Sequence, residues 1–162
     1  MTILFNRLQG EARPYEEAVA YTISTQSKYS TIIPSNEMDY DILLKDPHTG
    51  LRLSIEAKIH EGKNWADIPY ETACIEILEY QYKHNDYVQS HWLTADFDVM
   101  AHVNKHRNEI HLYNGEKIRR WALGKKHTAR YSERVKTANI VMPWICMEAG
   151  YLLTLPLQKI LK

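Results

Sequence analysis

Strict alternation of apolar and polar positions over residues 51–60 is the clearest pattern in the chain. Leu51, Leu53, Ile55, Ala57 and Ile59 project to one side, and Arg52, Ser54, Glu56, Lys58 and His60 to the other, because strand side chains repeat every two residues. Residues 41–46 form a shorter apolar run before it, and Pro47, His48, Thr49 and Gly50 between the two read as a turn, so the segment predicts a β-hairpin. Upstream, Pro14 followed by residues 15–25 predicts a helix of about ten residues with proline in its first turn. Residues 29–33 read as a short strand stopped by Pro34. Residues 61–65 read as a loop, and residues 72–78 fit a strand or a short helix equally well. Residues 95–103 and 109–113 alternate as strands, with Asn114 and Gly115 a turn signal after the second, and residues 118–123 read as an amphipathic helix. The apolar stretches 138–145 and 150–156 are expected to complete the core. Helix, strands and mixed elements in this order predict an α/β fold, with a central mixed β-sheet flanked by helices.

A chain of 162 residues without repeats, low-complexity tracts or Pro/Gly-rich linkers reads as one domain, residues 1–162. Mean hydropathy is −0.46, and no apolar run approaches the roughly 20 residues that span a bilayer. The first residues are too short in apolar character for a secretory signal, so the expected location is cytoplasmic. Cys74 and Cys146 have no ligand-like spacing, which argues for core thiols rather than a disulfide framework or structural zinc. The zero net charge hides an asymmetry. Residues 1–100 carry 8 Lys and Arg against 16 Asp and Glu, whereas residues 101–136 carry 10 against 3. An enzyme acting on a polyanion with a metal ion needs both characters, carboxylates for the cation and Lys or Arg for phosphates; a solvated surface needs neither.

The hairpin gives the acidic half a specific chemistry. In an antiparallel pair the start of the first arm lies beside the end of the second, so Asp41 is expected near Glu56 and Lys58. Two carboxylates at about 4 Å repel by about 4 kcal/mol at an effective dielectric near 20, and a cation would remove that cost. Hard oxygen donors suit Mg²⁺ or Mn²⁺ rather than zinc. The plain alternative is a surface ion pair between Lys58 and Asp41 or Glu56, worth about 0–1 kcal/mol.

These residues resemble the PD-(D/E)XK nucleases. The matching stretch covers about a third of the chain: Asp41 at the start of one strand, then Ser54, Ile55, Glu56, Ala57 and Lys58 on the next, after a helix bearing Glu16 and Glu17. Tyr40 stands where the family has proline. The resemblance implies a restriction-endonuclease-like core of helix, three-stranded meander, helix and fourth strand. It implies a metal-dependent DNA nuclease, most simply an endonuclease, hydrolysing phosphodiester bonds with Mg²⁺ or Mn²⁺. Asp41 and Glu56 would be metal ligands together with the carbonyl of Ala57, and Lys58 would orient water or offset charge. Asp39 would face the same side as Asp41, which is preferred because the apolar run begins right after it. Glu17 and His60 are additional candidates. Residues 75–76 and 92–97 are similar to small phage-encoded members, which would place the protein in a host cytoplasm. DNA is the implied partner, with a homodimer as the form in which such enzymes cut two strands.

The basic stretch is the expected nucleic-acid surface: Lys105, Arg107, Lys117, Arg119, Arg120, Lys125, Lys126, Arg130, Arg134 and Lys136, interleaved with Tyr113, Trp121 and Tyr131. Positive charge suffices for phosphates, and aromatic rings stack on unpaired bases; Trp121 is expected in the core. Two other readings compete: a non-catalytic nucleic-acid-binding or protein-interaction module on the same fold, and an enzyme that cuts RNA, for which the chain carries no recognition motif.

Overall fold

One carboxylate ties the turn of the predicted hairpin. Asp46 Oδ1 accepts from the His48 amide at 2.9 Å and its Oδ2 from the Thr49 hydroxyl at 2.8 Å. Gly50 closes the turn at φ +76, a left-handed conformation that glycine enters without strain. The computed structural model describes residues 2–34, 40–60, 72–105, 107–133, 136–143 and 150–158. Asp39, Arg134, Cys146 and the loop expected at residues 61–65 lie outside the described residues, as do the side chains of His60 and Cys74.

Helix α1 (Thr2–Gln26) precedes strands β1 (Thr31–Ile33), β2 (Ile42–Lys45) and β3 (Arg52–His60), which form an antiparallel meander. The helix begins well before Pro14, which sits inside it; the helix formers on either side carry it past the one backbone hydrogen bond that proline removes. Ala18, Val19 and Ile23 of α1 pack on Ile42, Leu44, Ile55 and Ala57, so the apolar side of the alternating strand is the helix-facing side.

Strand β3 then pairs in parallel with β6 (Val99–Asn104), which continues antiparallel to β7 (Glu109–Asn114) and β10 (Tyr151–Pro156). The larger sheet is therefore mixed and six-stranded, in the order β1-β2-β3-β6-β7-β10. Between β3 and β6 the described chain contains no α-helix. It leaves the sheet through β4 (Thr72–Gln81) and β5 (Asp86–Gln89), followed by a single 3-10 turn at His91–Leu93. Those strands join β8 (Arg130–Ser132) and β9 (Thr137–Pro143) in a second, four-stranded antiparallel sheet, β5-β4-β9-β8. Among the described residues a β-hairpin stands where a helix is expected before the fourth strand, and residues 61–71 lie outside them. The ambiguous residues 72–78 resolve as strand because Ile75 and Ile140 pair in a sheet buried on that face.

The second sheet and helix α2 (Gly115–Gly124) cover the other face of the larger one. Met100 and Tyr113 meet Trp92, Phe97, Ile118, Ala122, Ile75, Leu78, Ala138 and Ile140 in one apolar cluster. Two further expectations change. Residues 95–98 are not strand, because the chain bends at Ala95 and Asp98 before β6 begins. Asn114 and Gly115 are not a turn: Asn114 caps α2, its side chain accepting from the Lys117 amide at 3.0 Å. The C-terminal stretch completes the core only in part, since β10 is an edge strand with Tyr151, Leu152 and Leu153 exposed and Leu157 buried beyond it. No helix among the described residues is long and apolar enough to cross a membrane.

Gly115 is the tightest point of this packing: a Cβ there would lie 2.3 Å from the Phe97 carbonyl oxygen, a backbone atom with little room to yield. Gly115→Ala is expected to cost about 1–3 kcal/mol, as overpacking does, read from the urea midpoint at constant slope. A midpoint equal to wild type would mean that α2 is not pinned at this contact.

Candidate functional site

The register of the hairpin brings the predicted residues together. Ile42 pairs with Ile55, and the pairing continues one step further, with the Asp41 amide donating to the Ile55 carbonyl at 3.1 Å. Asp41 Oδ2 in turn accepts from the Ala57 amide at 2.8 Å. Asp41 is thus fastened beside the stretch of β3 that carries Glu56 and Lys58. Ala57 enters the site through its N–H, while its methyl group packs on the helix side. Lys58 Nζ lies 3.1 Å from Glu56 Oε1 and 5.8 Å from the ring of Trp92.

Burial distinguishes this ion pair from a surface one. Glu56 is 8% exposed, because β3 has the helix on one side and the second sheet with its 3-10 turn on the other. Burial is the main cause that holds the Glu56 carboxyl above its ordinary range; the Asp41 charge adds to it and Lys58 opposes it. Burial also raises Asp41, against the pull of the Ala57 amide and Lys58.

Of the two helix carboxylates, the one that faces the sheet is Glu16 rather than Glu17. Glu17 points outward and pairs with Arg13 at 3.5 Å on the exposed side of α1. Glu16, half-buried, is pushed up from 4.5 to about 7 by burial first and then by the charges of Asp41 and Glu56. Consecutive helix residues point about 100° apart, so only one of the two can face the sheet, and the phase follows from Val19 and Ile23 facing the core. The sequence held that signal: Glu16 lies three and seven positions before them, on the same helix face.

Two groups from the second sheet's side complete the surroundings. His91, on the 3-10 turn, is close enough to Glu56 and Glu79 to favour their charged forms, and Glu79 on β4 also feels Lys58. Neither was legible in the sequence, since the strand that carries Glu79 could not be told from a helix. Glu76, also on β4, accepts from the Ser90 hydroxyl at 2.8 Å, which fixes the approach to the 3-10 turn.

The basic residues divide. Arg119 donates to the Phe97 carbonyl at 3.1 Å and stacks on that ring at 4.5 Å, and Arg120 pairs with Glu116 at 2.7 Å. Lys117, Lys125, Lys126 and Arg130 are exposed. Of the interleaved rings, Tyr113 is fully buried, Trp121 packs against the core and Tyr131 is exposed.

Among the described residues no three His, Cys, Asp or Glu side chains are arranged as a cage for a metal ion. Mg²⁺ does not require one: it keeps several waters and is commonly held by one or two carboxylates plus a substrate phosphate. The all-oxygen pair Asp41 and Glu56 fits that demand. Comparison of the chain with family models, curated proteins and solved structures returned no match, so the functional reading rests on this geometry.

The raised carboxylates set the sign of a pH dependence. Glu16 ionises at its ordinary 4.5 in the unfolded chain and at about 7 in the folded one. Below the lower value both states hold the proton; between the two only the folded state does, so stability falls as pH rises through that window. The metal-free protein is expected to show a melting temperature that declines from pH 4.5 to 7, and Glu16→Gln should flatten the decline. An equally steep profile in the variant would remove Glu16 from the cluster.

Proposed function

We propose that the chain is a divalent-metal-dependent DNA nuclease, with a site of the PD-(D/E)XK type at the end of the β2–β3 hairpin. The observation that carries the reading is the convergence of Asp41, bonded to the Ala57 amide at 2.8 Å, and the buried Glu56, 3.1 Å from Lys58, with Glu16 near enough to feel both carboxylates. Perturbed ionisable groups held together in this way are a mark of reactive sites.

Asp41, Glu56 and the carbonyl of Ala57 would hold Mg²⁺ or Mn²⁺. Such an ion, when bound, supplies positive charge to the scissile phosphate and acidifies a coordinated water. The protein's own groups do the rest. Lys58, anchored by Glu56, orients the attacking water and offsets the negative charge that grows on the phosphate. A new bond forms from the water oxygen to phosphorus as one ester P–O bond breaks, with no covalent enzyme intermediate. The Ala57 amide keeps Asp41 from rotating away when the site is empty of substrate. Exposed Lys117, Lys125, Lys126 and Arg130 supply charge for phosphates further along the strand.

A non-catalytic module on the same fold is the competing reading, favoured by the Lys58–Glu56 contact, which engages the ammonium at 3.1 Å. The two part on a direct assay. Plasmid, single-stranded and branched DNA incubated in Mg²⁺ or Mn²⁺ should be cut, and Glu56→Gln, Asp41→Asn and Lys58→Met should each lower the rate by at least about a hundredfold, the scale of losing a catalytic charge. Glu17→Gln should leave it unchanged. Cleavage that persists in the Glu56 and Lys58 variants, or none by the wild type in either metal, would hand the site to the binding module.

A further inference from the structure

Three tyrosines of the second sheet and Tyr82 in its β4–β5 turn form a row outside the site described above. Tyr82, Tyr80, Tyr87 and Tyr131 follow one another with ring centroids 5.0, 5.2 and 5.0 Å apart and interplanar angles of 78°, 76° and 79°. Tyr80 and Tyr87 are cross-strand partners on β4 and β5. Tyr131 comes from β8, at the opposite edge of the same sheet. The Tyr80 hydroxyl donates to the Asn85 side chain in the β4–β5 turn, and Tyr87 packs against the apolar cluster. The inner two rings are therefore used up by the protein. The end rings are not: Tyr82 is 61% exposed and Tyr131 63%.

The two end rings are therefore the ones open to a ligand, and the chain carries exposed lysines close in sequence to both. Lys83 follows Tyr82 in the turn, and Lys125 and Lys126 lie on the segment that leads into β8, all three exposed, while Arg130, next to Tyr131 on β8, projects to the other face of that strand. Lys136 Nζ stands 5.7 Å from the Tyr80 ring. The nearby exposed acids are engaged, Asp86 with the Tyr87 amide at 2.7 Å and Glu133 with Lys136 at 3.6 Å. Flat aromatic faces rimmed by cations complement unpaired bases on a phosphodiester backbone; a duplex, with its bases already stacked, offers the cations its phosphates but gives the rings nothing.

We infer that the exposed rings of Tyr82 and Tyr131 stack on unpaired bases of a single-stranded nucleic-acid segment whose phosphates are held by Lys83, Lys125 and Lys126. This rests on the reading of the chain as acting on nucleic acid and names the form of substrate it engages.

Fluorescence anisotropy tests it without hydrolysis, in EDTA at low salt, with a labelled deoxythymidine dodecamer, the same length of duplex, and an abasic dodecamer that keeps the phosphates. Tyr82→Ala and Tyr131→Ala should each weaken dodecamer binding about tenfold, the scale of one lost base stack. Tyr82→Phe and Tyr131→Phe should bind within about twofold of wild type, because the phenyl face remains. Duplex and abasic binding should not respond to any of the four. Alanine variants that bind like wild type would overturn the inference, as would equal affinity for the abasic strand or no binding by the wild type. Self-association of the wild type that the alanine variants abolish, with dodecamer binding unchanged, would assign the row to a second copy and also overturn it. Unfolding midpoints of the variants near that of wild type secure the comparison. DNA that stays uncut in Mg²⁺ would defeat the nuclease proposal while leaving this measurement intact, whereas cleavage with unchanged dodecamer binding would defeat the stacking role alone.

Discussion

The bond from the Ala57 amide to the Asp41 carboxylate is the constraint on which the candidate site depends. It extends the β2–β3 register one step beyond Ile42 and Ile55, and so decides which side chains meet. A slip of one residue would turn Glu56 and Lys58 into the apolar layer under α1 and expose Ile55 and Ala57. The register is held from both ends, by this bond at one and by the Asp46 turn at the other. The same bond gives the Asp41 carboxylate a donor, which lowers the cost of keeping it charged against the desolvation that raises it.

Covering both faces of β3 turns an ordinary hairpin into an electrostatic site. A hairpin with one solvated face would leave Glu56 and Lys58 as a surface pair of little consequence. Here α1 takes the Ile55 and Ala57 side, and the second sheet, reached by leaving the larger one after β3, closes the other. Parallel pairing of β3 with β6 then sets Lys58 across from His102, which stacks on His111 at 6.0 Å. The polar row therefore runs on into the sheet. His111 is held below its ordinary range by burial, which favours the neutral imidazole. The positive charge near Glu56 comes from Lys58 first, with His91 a smaller contributor.

Local pattern made the hairpin legible, because period-two alternation, a turn rich in Pro and Gly and an acid at the strand start all lie within twenty consecutive residues. What the sequence hid is non-local. Residues 72–78 look alike as strand or helix until β9, about sixty positions later in the chain, pairs with them. Asn114 and Gly115 form a common turn signal, and only the close approach of Gly115 to the Phe97 carbonyl shows that they open a helix instead. Glu16 and Glu17 differ only in helix phase, which an expected start at Pro14 left unanchored; the helix runs from Thr2 and faces Glu16 to the sheet. The tyrosine row joins residues on β4, β5 and β8, so no window of sequence contains it.

Stability alone gives no reason for this grouping of charges. Buried ion pairs seldom repay their desolvation, and apolar replacements of similar volume are often neutral or stabilising by about 1–4 kcal/mol. The helix-to-sheet contact is already secured by Val19, Ile23, Ile42, Leu44 and Ile55, so Glu16 adds no packing that a leucine could not supply. Nor is the grouping balanced: Lys58 acts on Asp41 and Glu56, and Glu16, which feels both of those carboxylates, is driven toward holding a proton at neutral pH. A proton on Glu16 and a divalent cation beside Asp41 and Glu56 are two ways of relieving the same excess of negative charge. On the proposed reading, such a site would bind a cation most readily when that proton is gone, which would tie metal affinity to pH through Glu16 rather than through the two strand carboxylates alone.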